Sequence, residues 1–180
     1  MFYDYLRSHV EALLFASGEP LTVSKLSELL AVDEDTVKRL LSLLETEYDA
    51  QERGFCLRQV AGGYQLVVKA EFDELVRTLV SKQEIKISNA ALETLAVVAF
   101  KQPVTRSEIE AIRGVKVDGV VNTLVDLDLI CELGRKDTIG KPILYGTTES
   151  FLINFGFNSL NDLPKINDEF FEDKSIEEMD

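Results

Sequence analysis

The segment GRKDTIGKPILYGTT, residues 134–148, holds the residues of this chain whose types and spacing most invite a chemical role. Arg135, Lys136 and Lys141 form a cluster of cations in a chain whose net charge is −13. Gly134 and Gly140 permit turns with positive φ. Such a loop is compatible with three functions: a phosphate cradle, a wing that touches DNA, or a surface that binds protein.

Catalytic and cofactor-binding roles find no support in the residue pattern. Lys141 follows Gly140, but the upstream glycine spacing and the downstream Ser or Thr of a Walker-type loop are missing. His9 is the only histidine and the two cysteines lie far apart, so neither a metal cluster nor a nucleophile–histidine pair is expected. We therefore predict a protein that is not an enzyme and that needs no cofactor or metal.

Length and composition point to one or two small globular domains. The chain has 180 residues, 46% of them apolar, which is enough for a packed core. No apolar run approaches the ~18 residues of a membrane span, and the N-terminus lacks the features of a signal peptide. A cytoplasmic protein without membrane contact is therefore expected. The net charge is −6 over residues 1–80, −2 over 81–164 and −5 over 165–180.

Two stretches of the chain overlay when the sequence is shifted by 83 residues. LLFASGEPLTVSKLSELL at 13–30 matches AVVAFKQPVTRSEIEAIR at 96–113, and the apolar pattern stays in phase. Pro20 falls on Pro103 in this alignment. A repeat of this kind indicates two copies of one small domain.

The first copy has helical periodicity three times and then strand periodicity. Thr22 and Asp33 are expected to cap the second and third helices. Apolar residues recurring at helical spacing are expected to face the core: Leu6, Val10, Leu13, Leu14, Leu26, Leu29, Leu30, Val37, Leu40, Leu41, Leu44 and Tyr48. The period then drops to two over 55–68, and Gly62 and Gly63 predict a hairpin turn there.

The second copy repeats this order. Ser88 is expected to cap its first helix, and TRSE at 105–108 predicts a capping box that opens the second. The residues expected to face its core are Leu92, Leu95, Ala96, Ala99, Val117, Val120, Val121, Leu124 and Leu127. Strands at 129–133 and 143–147 are predicted to form a hairpin whose loop is the basic segment. The segment 71–86 is expected to form a fourth helix and the linker between the copies, and a further short helix is expected at 149–155.

Three helices followed by a two-stranded wing are the pattern of a winged helix-turn-helix domain. The predicted fold class is therefore mainly α with small β-hairpins (α+β), with two tandem winged helix-turn-helix domains. The expected boundaries are an N-terminal domain at 1–80, a linker at 81–87, a C-terminal domain at 88–164, and an acidic, disordered tail at 165–180.

The third helices carry the wrong charge for reading DNA. Winged helices often place the third helix in the major groove, where Lys and Arg replace counterions on the polyanion. The third helix of the first copy offers two basic residues against six acids, and that of the second offers Lys116 and Asn122 beside three aspartates. We therefore expect weak or no direct DNA binding, and a winged-helix DNA-binding transcriptional regulator is the alternative function.

The N-terminal helix has more aromatic residues than its own core stripe requires. Phe2, Tyr3, Tyr5 and Phe15 exceed what one short helix buries within so small a domain. One interpretation places these four residues at the interface with a second subunit. The other interpretation is that all four close the core of their own domain.

Three segments of the sequence together match a known pattern. They are EALLFASGEPLTVSKLSELL at 11–30, ALETLAVVAFKQPVTRSEIEAIRGV at 91–115, and GRKDTIGKPILYGTTESFLINFGFNSLNDLP at 134–164. The third is the most specific: a basic wing, then Pro-x-x-Tyr-x-Thr-Thr, then an aromatic segment ending in SLNDLP. From about residue 5 to residue 164 the chain resembles the segregation and condensation protein B family, bacterial partners of the SMC chromosome-organising ATPase.

The resemblance implies a function for the whole chain. It implies two winged-helix domains and a homodimer formed mainly through the N-terminal domains. It also implies binding to the kleisin subunit, segregation and condensation protein A, and through it to SMC. Such a protein is a non-catalytic adaptor in chromosome condensation and segregation, located in the cytoplasm and associated with the nucleoid.

The resemblance leaves more than one role open for two segments, the basic loop and the acidic tail. Arg135, Lys136, Lys141 and Tyr145 are assigned to a partner-binding wing, where the cations would meet acidic residues of the kleisin or an SMC head. The alternatives are cations that are simply solvated, or a weak phosphate contact that is blind to sequence. In the acidic tail, Phe170-Phe171 and Ile176 are either a short docking motif or part of a disordered end without function.

Overall fold

The computed structural model describes residues 2–50, 52–79 and 87–165, with the side chains of residues 2–4 and 50 left out. Over these residues the fold is mixed α and β, with two small antiparallel sheets. The described chain divides into two compact units. One contains the described part of Met1–Glu84 together with Gly156–Asn158, and the other contains the described part of Ile85–Phe155 and of Ser159–Asp180.

The first unit begins with three helices and continues into a hairpin. Its elements are α1 (Phe2–Ser17), α2 (Val23–Leu30), α3 (Glu34–Ala50), β1 (Phe55–Val60), β2 (Gly63–Val68), a 3-10 helix (Ala70–Phe72) and α4 (Asp73–Leu79). The Thr22 hydroxyl accepts a hydrogen bond from the Lys25 amide at 3.1 Å, and Asp33 accepts one from the Thr36 amide at 2.8 Å. The two predicted helix caps are therefore confirmed, and each satisfies an amide that the first helical turn leaves unpaired.

The core of the first unit is formed by α1, α2, α3 and β1. Its buried residues are Leu6, Val10, Leu14, Leu26, Val37, Leu40, Leu41, Leu44, Tyr48 and Leu57. Leu29 is 49% exposed, so its predicted place in the core is wrong. The narrow stripe through Val23, Leu26 and Leu30 alone faces the core, because spacings of three and four residues lie on one side of so short a helix.

The hairpin of the first unit turns one residue earlier than the sequence predicts. Ala61 and Gly62 are the turn residues, with φ of 50° and 73°, and Gly63 already pairs with Val60 as the start of β2. Next to Gly63, Leu21 and Tyr64 exchange two backbone hydrogen bonds of 2.9 and 2.8 Å. A Cβ on Gly63 would lie 3.0 Å from the Leu21 carbonyl, so the glycine permits this close approach.

The short segment Gly156–Asn158 belongs to the first unit through backbone hydrogen bonds. The amides of Ala61 and Gly62 donate to the carbonyls of Phe157 and Asn158, each at 3.0 Å. The turn amides of the hairpin are thereby satisfied, as buried or half-buried backbone groups require.

The second unit repeats the order of helices and hairpin. Its elements are α5 (Asn89–Lys101), β3 (Val104–Thr105), α6 (Arg106–Arg113), α7 (Asp118–Asp126), β4 (Ile130–Arg135), β5 (Ile143–Thr147), α8 (Glu149–Phe155) and a 3-10 helix (Leu160–Asp162). The predicted cap at Ser88 and capping box at Thr105 and Glu108 are both confirmed. Leu92 is 40% exposed, which corrects its prediction as a core residue. The buried stripe runs instead through Ala91, Leu95 and Val98.

A short third strand completes the sheet of the second unit. β3 pairs with β5, and β5 pairs with β4, all antiparallel. Val104 of β3 corresponds in the repeat to Leu21 of the first unit, which forms an equivalent bridge to Tyr64. This strand is not predictable from the sequence, because two residues are too few for an alternating pattern.

Candidate functional site

The basic segment lies at the end of the hairpin formed by β4 and β5, called the basic hairpin below (residues 130–147). Arg135 and Lys141 are exposed, and Lys136 is half-buried. The Arg135 guanidinium donates to the Lys141 carbonyl at 3.0 Å. Gly134 and Gly140 have φ of 142° and 86°, as the sequence predicts for this turn. The structure therefore brings Arg135 and Lys141 together at one end of the hairpin.

Lys136 is held by an ion pair with the start of α6. Its ammonium group lies 2.5 Å from a carboxylate oxygen of Glu108. The other carboxylate oxygen accepts hydrogen bonds from the backbone amide and the hydroxyl of Thr105, each at 2.8 Å. The Lys136 ammonium and then the Thr105 donors lower the pKa of Glu108 to about 2. Glu108 is therefore ionised at neutral pH, and it ties the hairpin to the capping box.

Tyr145 lies beneath the hairpin surface and not on it. Its side chain is 1% exposed, and its hydroxyl accepts a hydrogen bond from Arg106 Nε at 3.0 Å. The Arg106 guanidinium also lies 5.5 Å from the centre of the Tyr145 ring, within the range of a cation–π interaction. A ring this deeply buried offers almost no surface to a partner, and its hydroxyl is already engaged by Arg106.

Arg106 connects three elements of the second unit. Besides Tyr145 on β5, its guanidinium donates to Asp118 at 3.1 Å and to Asn122 at 2.6 Å, both on α7. One carboxylate oxygen of Asp118 and the amide oxygen of Asn122 are therefore engaged within the unit. Sequence reasoning missed this network, since the three partners of Arg106 lie 12 to 39 residues away and follow no periodic pattern.

The surfaces of the two third helices are acidic. The sequence of α7 contains two aspartates and no Lys or Arg. On α3, the Lys38 ammonium lies 3.6 Å from Asp35 and 3.8 Å from Glu34, so this cation is shared between two carboxylates. Arg39 is the only other cation of α3, and α7 has none, so neither helix offers the cluster of cations that a phosphate backbone requires.

Two of the four aromatic residues assigned to a subunit interface are exposed. Tyr5 is 62% exposed and Phe15 is 82% exposed, so neither closes the core of its unit. The Tyr5 ring lies 4.0 Å from the His9 ring, and His9 Nδ1 donates to the Tyr5 carbonyl at 2.7 Å. Phe2 and Tyr3 belong to α1, but their side chains lie outside the described part of the chain.

The described residues form no metal centre. No three His, Cys, Asp or Glu side chains among them come together as a metal site. A cleft of about 220 Å³ in the second unit is lined by Ile87, Leu127, Leu129, Asn154 and Phe155. This lining contains no group that titrates near neutral pH. Among the described helices, none combines the length and the apolar character that crossing a bilayer demands.

Comparison with known proteins gives several matches. The chain is 48% identical to segregation and condensation protein B of Moorella thermoacetica over 93% of this chain and 86% of the relative. Among solved structures, it is 36% identical to ScpB of Mycobacterium tuberculosis, with a TM-score of 0.42 over 86% of this chain and 97% of the other. The solved dimer of a ScpB N-terminal domain complexed with ScpA peptide is 31% identical to this chain, with a TM-score of 0.43. The match covers 44% of this chain and 100% of the other.

The family comparison covers both units. The family model described as segregation and condensation complex subunit ScpB matches residues 8–166. This range contains both hairpins and the Arg106 network. By the extent of this match and the identity to its relatives, the chain belongs to the family of segregation and condensation complex subunit ScpB.

Proposed function

We propose that this chain is a non-catalytic adaptor subunit of a bacterial SMC–kleisin complex. It forms a homodimer and binds the kleisin, segregation and condensation protein A, and acts in chromosome condensation and segregation. The observation that carries this proposal is the match of the family model to residues 8–166. The role places the protein in the cytoplasm, at the nucleoid, without a cofactor.

Each unit is proposed to be a winged helix-turn-helix domain. In both units three helices precede a two-stranded hairpin, and the residue two positions before the second helix pairs with the returning strand. The Leu21–Tyr64 bridge and the Val104–Tyr145 pair are the two instances of this contact. The proposed domains keep the boundaries 1–80 and 88–164, with a linker at 81–87 and an acidic tail at 165–180.

The dimer interface is proposed to include the aromatic residues of α1. Support comes from the exposure of Tyr5 and Phe15, whose rings would leave water when two N-terminal domains meet. Phe2 and Tyr3 belong to the same proposal from their sequence position alone. Aromatic residues are enriched at the centre of protein interfaces, where they leave water on association.

The basic hairpin is proposed to contact acidic residues of a partner through Arg135 and Lys141. These two cations are exposed, whereas Lys136 pairs with Glu108 and Tyr145 is buried. Lys136 and Tyr145 therefore belong to this proposal as residues that hold the hairpin in place. Carboxylates of a partner are suitable acceptors for the exposed guanidinium and ammonium groups.

Transcriptional regulation by DNA binding is the weaker alternative. The sequence of α7 has no cation, and Arg106 engages the oxygens of Asp118 and Asn122. Gel shifts at about 50 and 200 mM salt separate the two functions. Sequence-specific binding that survives the higher salt and falls in an Arg135→Ala, Lys136→Ala variant would favour the regulator.

Light scattering coupled to size-exclusion chromatography tests the adaptor function directly. The chain alone should elute with the mass of a dimer at micromolar concentration. Mixed with its kleisin, it should elute as a single heavier species that contains both proteins. A monomer that leaves the kleisin elution unchanged would contradict the proposal.

A further inference from the structure

Two cations and two aliphatic side chains of the basic hairpin remain exposed. Arg135 and Lys141 form no salt bridge with any residue that the structure describes, in contrast to Lys136. Leu133 is 55% exposed, and Ile139 is exposed over its whole side chain. Single exposed aliphatic residues are ordinary on protein surfaces. Here two of them share one hairpin with two unpaired cations, and we call these four residues the hairpin patch.

The geometry of the turn keeps the charged part of the patch together. Arg135 donates to the Lys141 carbonyl at 3.0 Å, which joins the two cation-bearing residues at the end of the hairpin. Leu133 lies at the register shift between Glu132 and Gly134. A Cβ on Gly146 would lie 2.5 Å from Leu133 Cδ1, so Leu133 lies over the neighbouring strand where glycine leaves room. β4 and the turn that follows it therefore carry both exposed aliphatic side chains and two cations without a salt bridge to a described residue.

The C-terminal residues of the same chain have the complementary composition. Residues 166–180 contain seven acids and one lysine, which gives a net charge of −6. Phe170 and Phe171 are adjacent, with acids on both sides. The hairpin itself carries two acids, Glu132 and Asp137, so the attraction is local to the two unpaired cations.

The tail is tethered to the unit that carries the patch. From Lys165, the last described residue, to Phe171 an extended chain spans at most about 20 Å. The tether also gives the tail an effective concentration in the millimolar range. A contact with a Kd of only about 1 mM in free solution would therefore be substantially occupied within the chain.

We propose that residues 166–180 bind the hairpin patch of their own chain. Phe170 and Phe171 pack against Leu133 and Ile139, and the flanking carboxylates face Arg135 and Lys141. An acidic segment of a partner would have to displace the tail from this surface. The contact belongs to the isolated chain, so its test does not depend on the proposed kleisin binding.

Methyl NMR of the full chain tests the contact. The Ile139 and Leu133 methyl resonances should differ between the unmodified chain and a Phe170→Ser, Phe171→Ser variant. A synthetic peptide of residues 166–180, titrated into this variant, should return both resonances toward their positions in the unmodified chain, with a Kd of about 1 mM or lower. The same peptide with both phenylalanines replaced by serine should leave them unchanged. Raising the salt from about 50 to 500 mM should weaken peptide binding.

Charge reversal on the hairpin provides the matched comparison. The double substitution Arg135→Glu, Lys141→Glu should release the tail and so shift the Leu133 methyl resonance. The same double substitution in the Phe-to-Ser variant measures the local effect of the charge change alone, and the shift in the unmodified background should be larger. Lys25 is an exposed cation of the first unit, and Lys25→Glu should leave the Ile139 and Leu133 methyl resonances unchanged. The Leu92 methyl groups on α5 serve as an internal reference. Unchanged Ile139 and Leu133 resonances in the Phe-to-Ser variant would overturn the proposal. A difference that grows with protein concentration would also overturn it, since the tail would then bind a second copy.

Discussion

Lys136 and Glu108 form an ion pair whose nitrogen and oxygen lie 2.5 Å apart, and this pair joins the basic hairpin to the capping box of α6. Both side chains are 43% exposed, so water screens the attraction between them. Thr105 completes the arrangement by donating two hydrogen bonds to the same carboxylate. Of the three cations in the segment, Lys136 is thus the one that pairs with a carboxylate of a described residue.

Replacing Lys136 by methionine should cost stability in a way that depends on pH. At pH 7 we expect the free energy of unfolding to fall by about 0.5–1 kcal/mol, the range of a well-formed exposed ion pair. The folded chain lowers the pKa of Glu108 from 4.5 to about 2. The stabilisation is therefore complete above about pH 4.5 and is lost as the pH falls towards 2. Urea unfolding at several pH values measures the difference.

Lys141→Met is the matched control for this change. Lys141 carries the same charge on the same hairpin but forms no salt bridge with a described residue. Its replacement should change the free energy of unfolding by less than about 0.5 kcal/mol at any pH. An equal loss from both variants, or a loss from Lys136→Met that persists unchanged at pH 2.5, would contradict the assigned role.

Replacing Arg106 by methionine should destabilise the second unit more than replacing any exposed cation. The substitution leaves the buried Tyr145 hydroxyl without its donor and frees Asp118 and Asn122. We expect a loss of about 1–3 kcal/mol, the cost of an unsatisfied buried polar group. Arg106→Lys should recover little of it, because an ammonium group lacks the planar fork that reaches three acceptors. Urea unfolding of Arg106→Met, Arg106→Lys and Arg135→Met measures the free energy of unfolding of each variant. Equal losses in all three variants would refute the network.

Two glycine-to-alanine substitutions should change the stability of the chain in opposite directions. A Cβ at Gly63 would lie 3.0 Å from the backbone of Leu21, which is paired with Tyr64 and cannot retreat freely. Gly63→Ala should therefore destabilise the chain by about 1–3 kcal/mol. A Cβ at Gly119, within α7, meets nothing within 4 Å, so Gly119→Ala should stabilise by about 0.5–1 kcal/mol. Thermal unfolding compares them, and a shift of the same sign in both variants would be inconsistent with this explanation.

Placing a charge at Phe15 should weaken the proposed dimer without unfolding the chain. Phe15 is 82% exposed, so Phe15→Asp removes little packing within its unit. We expect light scattering to show a shift towards the monomer mass at micromolar concentration, while the circular dichroism spectrum stays unchanged. Leu75→Asp is the control, because Leu75 on α4 is 68% exposed but is not part of the proposed interface. Loss of the dimer in the control alone would place the interface elsewhere.

Local features were predictable because their physical cause lies within a few residues. The caps at Thr22 and Asp33 and the capping box of α6 each join residues three apart. The heavily apolar stripe of α3 also follows from spacing alone, and its residues Val37, Leu40, Leu41, Leu44 and Tyr48 are all buried. The errors at Leu29 and Leu92 arose on helices where more apolar residues occur than one face can bury.

The sequence by itself determined the repeat, the order of helices and hairpins, and the resemblance that led to the family. Only the tertiary structure decided what each residue of the basic hairpin does. Lys136 finds its partner 28 residues away, and Tyr145 meets Arg106 across 39 residues. Such pairings depend on how helices and strands pack, so neither residue spacing nor charge pattern reveals them. For the same reason, only the tertiary structure distinguishes Arg135 and Lys141, which are exposed, from Lys136, which pairs with Glu108.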